Sequence, residues 1–407
     1  MNRTRLLERF LQYVKINSTA VEDAETVPSS PGQLLVGQML VEQMLTMGIV
    51  DASQDEWGIV MGTVPGNVAA PAIAFNSHVD TAPDTAGKDV RPRVIENFDG
   101  NDIVLMGDVS QIITAKTCPE LPLAKGKTII TTDGTTLLGG DDKAGVAIIM
   151  EVANHLLEHP QIQHGPVRLV FTCDEEIGHG ADHVDLTKIG ALACYNFDGG
   201  GQDDVDVETF SADLARITFT GVNIHPAIAK NKMINSIRAA GLFVSRLPAE
   251  LAPEKTDDRA GFLHPYAMEG SVAKTTLRIL LRDFKTSQLT HYANQLRGLA
   301  DKVQTDCPGI VVQIEIIQQY RNMADGLDRE PRAVKYALAA HTALGRIAKQ
   351  TIVRGGTDGS RLTEMGLPTP NLSSGQHNIH SPLEWACLDE MVAAVEVGIE
   401  IVKQWAQ

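Results

Sequence analysis

Residues Pro71–Asp80 read PAIAFNSHVD. The apolar run from Pro71 to Ser77 reads as a buried strand, and the His-Val-Asp behind it sets polar side chains at its C-terminal end. His78 and Asp80 are two residues apart, so on extended backbone they share a face. The layout recurs twice. Val167–Thr172 is a second buried strand and runs into Cys173-Asp174-Glu175-Glu176; Leu192–Phe197 is a third and runs into Asp198 and three glycines. Between them Asp141–Leu157 has helical spacing through Val146, Ile149, Met150, Ala153 and Leu157. Strands alternating with helices predict an α/β sheet with parallel elements. In such sheets ligands bind beyond the carboxyl ends of the strands.

Further along, the pattern changes. Leu214–Thr220 alternates as a half-buried strand, Met233–Leu247 is helical, and Ala267–Val272 and Thr276–Leu281 are strands around a short turn. Gln288–Val303 is helical and Ile310–Ile317 is a strand. That order, βαββαβ, is the split ferredoxin-like arrangement. It predicts a small domain over 210–322 inserted in a larger one made of 1–209 and 323–407. The larger one resumes with a helix at Arg332–Leu344, a strand end at Thr351–Arg354 and a long helix at Leu388–Trp405. The stretch from Arg91 to Leu138, broken by Pro, Gly and Asp, predicts hairpins and loops.

Bulk properties narrow the function. The 407 residues suggest two domains, and 43% hydrophobic with 21% charged residues is ordinary for a chain with a real core. A net charge of −16 repels nucleic acid and anionic lipid, leaving small molecules or peptides as partners. Five scattered cysteines without a CxxC pair fit a reducing compartment, here the cytoplasm. Leu6, Leu7, Phe10, Leu11 and Val14 form the apolar face of an N-terminal core helix, not a signal peptide. No run of about 18 apolar residues exists to span a membrane.

Each polar cluster has a bland reading. His78-x-Asp80 could be a surface turn, and Asp141-Asp142 after Gly139-Gly140 could cap a helix. Asp174-Glu175-Glu176 could be a solvated acidic loop, Asp198 part of a turn, and His377 and His380 exposed loop histidines. Three adjacent carboxylates behind a buried strand cost stability unless a cation offsets them. Together His78, Asp141, Glu176, Asp198 and His380 supply two imidazoles and three carboxylates. Nitrogen and oxygen donors without thiolate suit zinc, with manganese or cobalt as alternatives. One bridging carboxylate and two further ligands per ion would hold two metals about 3.5–4 Å apart. Glu175 is then left over as a general base.

These residues, at these spacings, resemble the M20 metallopeptidase family. The match runs through SHVDTAPD (Ser77–Asp84), TTDGTTLLGGDDKAG (Thr131–Gly145), FTCDEEIGHGA (Phe171–Ala181) and FDGGG (Phe197–Gly201). It continues through NIHPAIAKNKMIN (Asn223–Asn235), RDF (Arg282–Phe284), YRNM (Tyr320–Met323) and RGGTDGSRLTEMGLPTPNL (Arg354–Leu372). The resemblance implies an α/β zinc-peptidase-like catalytic domain with a ferredoxin-like lid, and removal of the N-terminal residue from tripeptides. It implies His78 and Asp198 on one zinc, Glu176 and His380 on the other, and Asp141 shared between them. Asp80 would orient His78, Glu175 would activate the water, and His225 would stabilise the oxyanion. Arg282 and Arg354 would clamp a peptide carboxylate, with Asn235 and Lys230 as further substrate contacts; the alternative for both arginines is internal pairing. A homodimer is an arrangement that relatives use. Two departures stand out: Gly140 where the family has Ala, and Ser381-Pro382-Leu383 at the rim after His380. An amide hydrolase acting on N-acyl amino acids or dipeptides, or a non-catalytic zinc-dependent peptide-binding protein, are the rival functions.

Overall fold

The computed structural model describes all 407 residues. Its contacts divide the chain into two compact units: Met1–Val207 with Met323–Ile352 and Thr357–Gln407, and Glu208–Asn322 with Val353–Gly356. No helix is long and apolar enough to cross a membrane.

In the first unit the strand Ile73–His78 pairs parallel with Val167–Thr172 on one side and with Cys194–Gly200 on the other. Asn371–His377 runs parallel to Cys194–Gly200. All six residues of Ile73–His78 and all seven of Asn371–His377 are buried. Strands covered on both faces tolerate near-continuous apolar runs, which is why the sequence shows runs at Pro71–Phe75 and Val167–Phe171 and not alternation. Helices Gly140–Glu158 and Leu388–Trp405 pack in the same core, with Phe75, Phe197, Tyr195, Val146, Ile149 and Met150 at its centre. The helix near the N-terminus, Arg3–Tyr13, buries Leu6 and Phe10 completely.

Two elements of this unit depart in kind from the sequence expectation. The helical spacing begins at Asp141, yet Asp141 and Asp142 have non-helical backbone and the regular helix starts after them; the peptide between the two is cis. His377 is the last residue of a buried strand and not part of a loop, because Asn371–His377 adds to the sheet through residues that, Leu372 apart, are polar or glycine and carry no apolar signature. The stretch from Arg91 to Leu138 contains short strands at Arg93–Ile95 and Ile129–Thr131, which extend the large sheet beyond Trp385–Cys387, and a separate pair at Ile103–Val104 and Ile112–Ile113.

The second unit is a four-stranded antiparallel sheet in the spatial order Phe262–Gly270, Lys274–Asp283, Ser211–Thr220, Val311–Tyr320. Helices Ser236–Val244 and Thr286–Asp306 share a core with the buried face of this sheet. The first of these helices starts three residues later than its apolar spacing predicts. Asn235 supplies the N-cap, its side-chain oxygen accepting from the N–H groups of Ile237 at 2.9 Å and Arg238 at 3.2 Å.

Glycine at 145 sets the approach of the long helix to the sheet. A Cβ there would lie 2.0 Å from the Phe197 carbonyl oxygen. Gly298, on Thr286–Asp306, has open space where a Cβ would go. Gly145→Ala is therefore expected to destabilise the protein by about 1–3 kcal/mol, and Gly298→Ala to stabilise it by about 0.5–1 kcal/mol. Thermal unfolding of the two variants checks both signs.

Candidate metal centre

His78 closes its strand and is 1% exposed. Its Nε2 lies 3.0 Å from Asp141 Oδ1, 3.7 Å from Asp198 Oδ1 and 3.9 Å from Glu175 Oε2. Its Nδ1 lies 3.3 Å from Asp80 Oδ1. Asp80 is fully buried and accepts from the backbone N–H groups of Glu175 at 3.2 Å and Glu176 at 3.0 Å. One carboxylate thus ties the histidine to the acidic turn behind the neighbouring strand.

Asp141 reaches the other histidine as well. Its Oδ2 is 3.2 Å from His380 Nε2, and that same nitrogen is 2.9 Å from Glu176 Oε2. The structure therefore gathers His78, Asp141, Glu175, Glu176, Asp198 and His380, with Asp80 behind them. His78, Asp141 and Glu176 offer ligand atoms within 4.8 Å of one another, as do His78, Asp142 and Asp198. Asp142 is turned inward: Ser77 Oγ donates to it, and it accepts from Gly145 N–H at 3.2 Å.

Of the three adjacent acids after Thr172, the first is structural. Asp174 is buried and accepts from Ser29 N–H at 2.8 Å and Gln33 Nε2 at 2.6 Å. Asp358 is buried and accepts from the Thr172 hydroxyl. Its place in the first turn of a helix looks like ordinary capping in sequence, so only the fold reveals its burial.

The remaining candidates belong to the second unit. His225 is exposed and its Nδ1 accepts from Ala227 N–H at 3.2 Å. Arg282 stacks 5.9 Å from the Tyr320 ring centre, and its buried Nε has no hydrogen-bond partner. Arg354 is engaged differently: its guanidinium donates to the carbonyls of Asp258 at 2.7 Å, Ala260 at 2.8 Å and Thr256 at 3.3 Å. Asn235 is taken up by its helix cap.

Electrostatics describe a cluster short of positive charge. Burial, reinforced by Asp141, pushes Glu176 up to about 8 and Asp198 up to about 6. Burial also raises Glu175 and Asp142 well above the usual carboxylate range. Asp141 alone goes down: burial opposes it, but hydrogen bonds from His380 and His78 outweigh burial. Against its own burial, His380 is pushed up to about 11 by Asp141 and Glu176. Glu176 Oε1 is buried without a partner. Two imidazoles, several carboxylates and an orphaned carboxylate oxygen are the donor set of a divalent metal site of nitrogen–oxygen type.

The chain is similar to known peptidases. Residues 133–404 match the family model described as Peptidase family M20/M25/M40. A protein named Peptidase T from Geobacillus thermodenitrificans is 44% identical over 407 residues, covering 100% of this chain and 99% of its own. Among solved structures, a tripeptidase from Staphylococcus aureus superposes with a TM-score of 0.78 at 22% identity, covering 100% of this chain and 99% of its own. Aminopeptidase PepT from Bacillus cereus gives 0.75 at 21%, covering 100% of both.

The shifts fix a pH signature. With no ion bound, Glu176 holds its proton to about 8 when folded and to 4.5 in its ordinary state. Its contribution to folding is complete below the lower value and is lost as pH rises through the upper one. Asp198 acts in the same direction between 3.8 and about 6. The chelated protein is therefore expected to melt at progressively lower temperature from about pH 5 to about pH 8. Added zinc, which replaces the protons, should stabilise it increasingly over that range. Melting curves across pH, with and without zinc, provide the check; parallel curves would contradict it.

Proposed function

This chain belongs to peptidase family M20/M25/M40 and is a peptidase, and on that premise we propose that it removes the N-terminal residue from tripeptides with two zinc ions. The observation carrying this reading is the Asp141 carboxylate, with one oxygen 3.0 Å from His78 Nε2 and the other 3.2 Å from His380 Nε2. Tripeptides as substrate accord with the tripeptidase that shares the fold.

The residues fit the ions. His78 and Asp198 would hold one, Glu176 and His380 the other, and Asp141 would be shared. Manganese or cobalt suits the same donors. When bound, such a pair polarises the scissile carbonyl and lowers the pKa of the attacking water. The chain's own groups do the rest. Asp80 stands behind His78 Nδ1 and fixes the face its Nε2 presents. Glu175 takes the proton of the water and returns it to the leaving amine. Its backbone, anchored on Asp80, keeps it beside the ligands without making it one. His225 donates to the developing oxyanion.

Arg282 clamps the C-terminal carboxylate of the peptide, its stacked guanidinium being free of any internal carboxylate partner. Arg354 and Asn235 act less directly, by holding the 256–260 loop and a helix start in shape. Free thiols at all five cysteines fit a reducing cytoplasm.

Hydrolysis of a free tripeptide should stop on chelation and return with zinc, while the N-acetylated tripeptide stays intact. Cleavage of the acetylated form in preference would point to an acyl-amino-acid hydrolase. Glu175→Gln should retain both metals and lose about 10²–10⁴-fold in kcat; full activity would remove Glu175 from the base role. Arg282→Ala should raise KM by about 10–100-fold, the worth of a charge-assisted bond, and leave amide substrates lacking that carboxylate unaffected.

A further inference from the structure

Glu384 is 1% exposed, yet it is a carboxylate to which the mechanism above gives no task. Its Oε2 accepts from the N–H groups of Leu138 at 2.7 Å and Gly139 at 2.9 Å, and its Oε1 accepts from Asp141 N–H at 3.0 Å. We propose that Glu384 is the positioning residue of the Asp141 carboxylate, fixing it between the two histidines. The inference rests on the two-ion reading and adds to it a residue that touches neither ion nor substrate.

The loop entering Asp141 needs such a partner. Gly139 is left-handed at φ +79, and Asp141 has an extended ψ of 105. No helix or sheet ladder takes up the backbone donors of this loop, and buried N–H groups left unpaired are costly. One carboxylate satisfies three of them with charge-assisted bonds, the stronger kind. Both of its oxygens are engaged by backbone N–H groups, and it is in neither of the ligand groups around His78.

Glu384 is placed by the turn behind His380. Its N–H donates to Ser381 O at 3.1 Å, and Leu383 N–H donates to Ser381 Oγ at 2.9 Å. This turn is the Ser381-Pro382-Leu383 stretch that departs from the family pattern. It therefore starts at one candidate ligand and ends beneath another. Asp141 must meet His78 and His380 with opposite oxygens, so a shift of the loop that favours one contact breaks the other. Contact is close enough that a Cβ on Gly140 would lie 3.1 Å from Glu384 Oε1. An amide cannot take over: Gln would turn an NH2 group toward either the Asp141 N–H or the N–H groups of both Leu138 and Gly139.

The test is Glu384→Gln in the full chain. Zinc affinity, read by competition with a chromophoric chelator, should fall about 10–100-fold, the effect of removing a group that orients a ligand. Tripeptide kcat should fall with it while KM holds, and the circular dichroism of the chelated variant should match wild type. Zinc affinity and kcat at wild-type levels would overturn the proposal. A wild-type protein that binds no zinc and ignores chelation would instead overturn the two-ion reading. Hydrogen exchange on chelated wild-type protein needs no variant: the Leu138, Gly139 and Asp141 amides should be protected, and exchange at solvent rates would refute the role.

Discussion

Five carboxylates, those of Asp141, Asp142, Glu175, Glu176 and Asp198, crowd around two imidazoles with little access to water. A buried ionic group is tolerated only when it is paired or held by hydrogen bonds. Here no arginine or lysine supplies the pairing. Lys143, the nearest in sequence, is buried, but its ammonium donates to the Ile16 carbonyl. The histidines draw Asp141 down and leave its neighbours pushed up. A divalent cation is the simplest occupant that reverses those shifts, and the proposed chemistry follows from that shortage of positive charge.

The fold meets the constraint by giving each acid a backbone or side-chain anchor. Asp80 binds the turn of Glu175 and Glu176; Ser77 and the Gly145 N–H hold Asp142; Gln376 Nε2 reaches Asp198 Oδ1 at 3.4 Å. Parallel strands deliver these groups to one end of a sheet, and the absence of a side chain at Gly145 lets the helix that follows the Asp pair come within contact of the Asp198 strand. In the second unit, by contrast, the candidate residues sit on ordinary structural duties or in the open, so their roles come from resemblance more than from geometry.

Much of this was legible in the chain. Buried strands announce themselves as apolar runs, and the polar residues behind three of them mark a site. The alternating strands of the second unit, such as Lys274–Asp283, were equally plain, because one face is covered and one is not. Less legible were elements whose residues carry no periodic apolar signal. The strand Asn371–His377 has one apolar side chain, Leu372, among Asn, Ser, Gly, Gln and His, and is recognisable only once its neighbours are in place. Asp174 reads like Glu175 and Glu176, yet its carboxylate belongs to Ser29 and Gln33, more than a hundred residues earlier.

The sequence by itself determined the kinds of element, their order, the acidic charge and the set of residue types able to hold a metal, since these depend on local periodicity and on side-chain chemistry. Only the tertiary structure decided how near the Asp141 carboxylate, already singled out by resemblance, lies to the two histidines, which acid is structural and that Glu384 underlies the Asp141 loop. Those assignments depend on distances between residues far apart in the chain, and a few ångströms separate a ligand from the group that positions it.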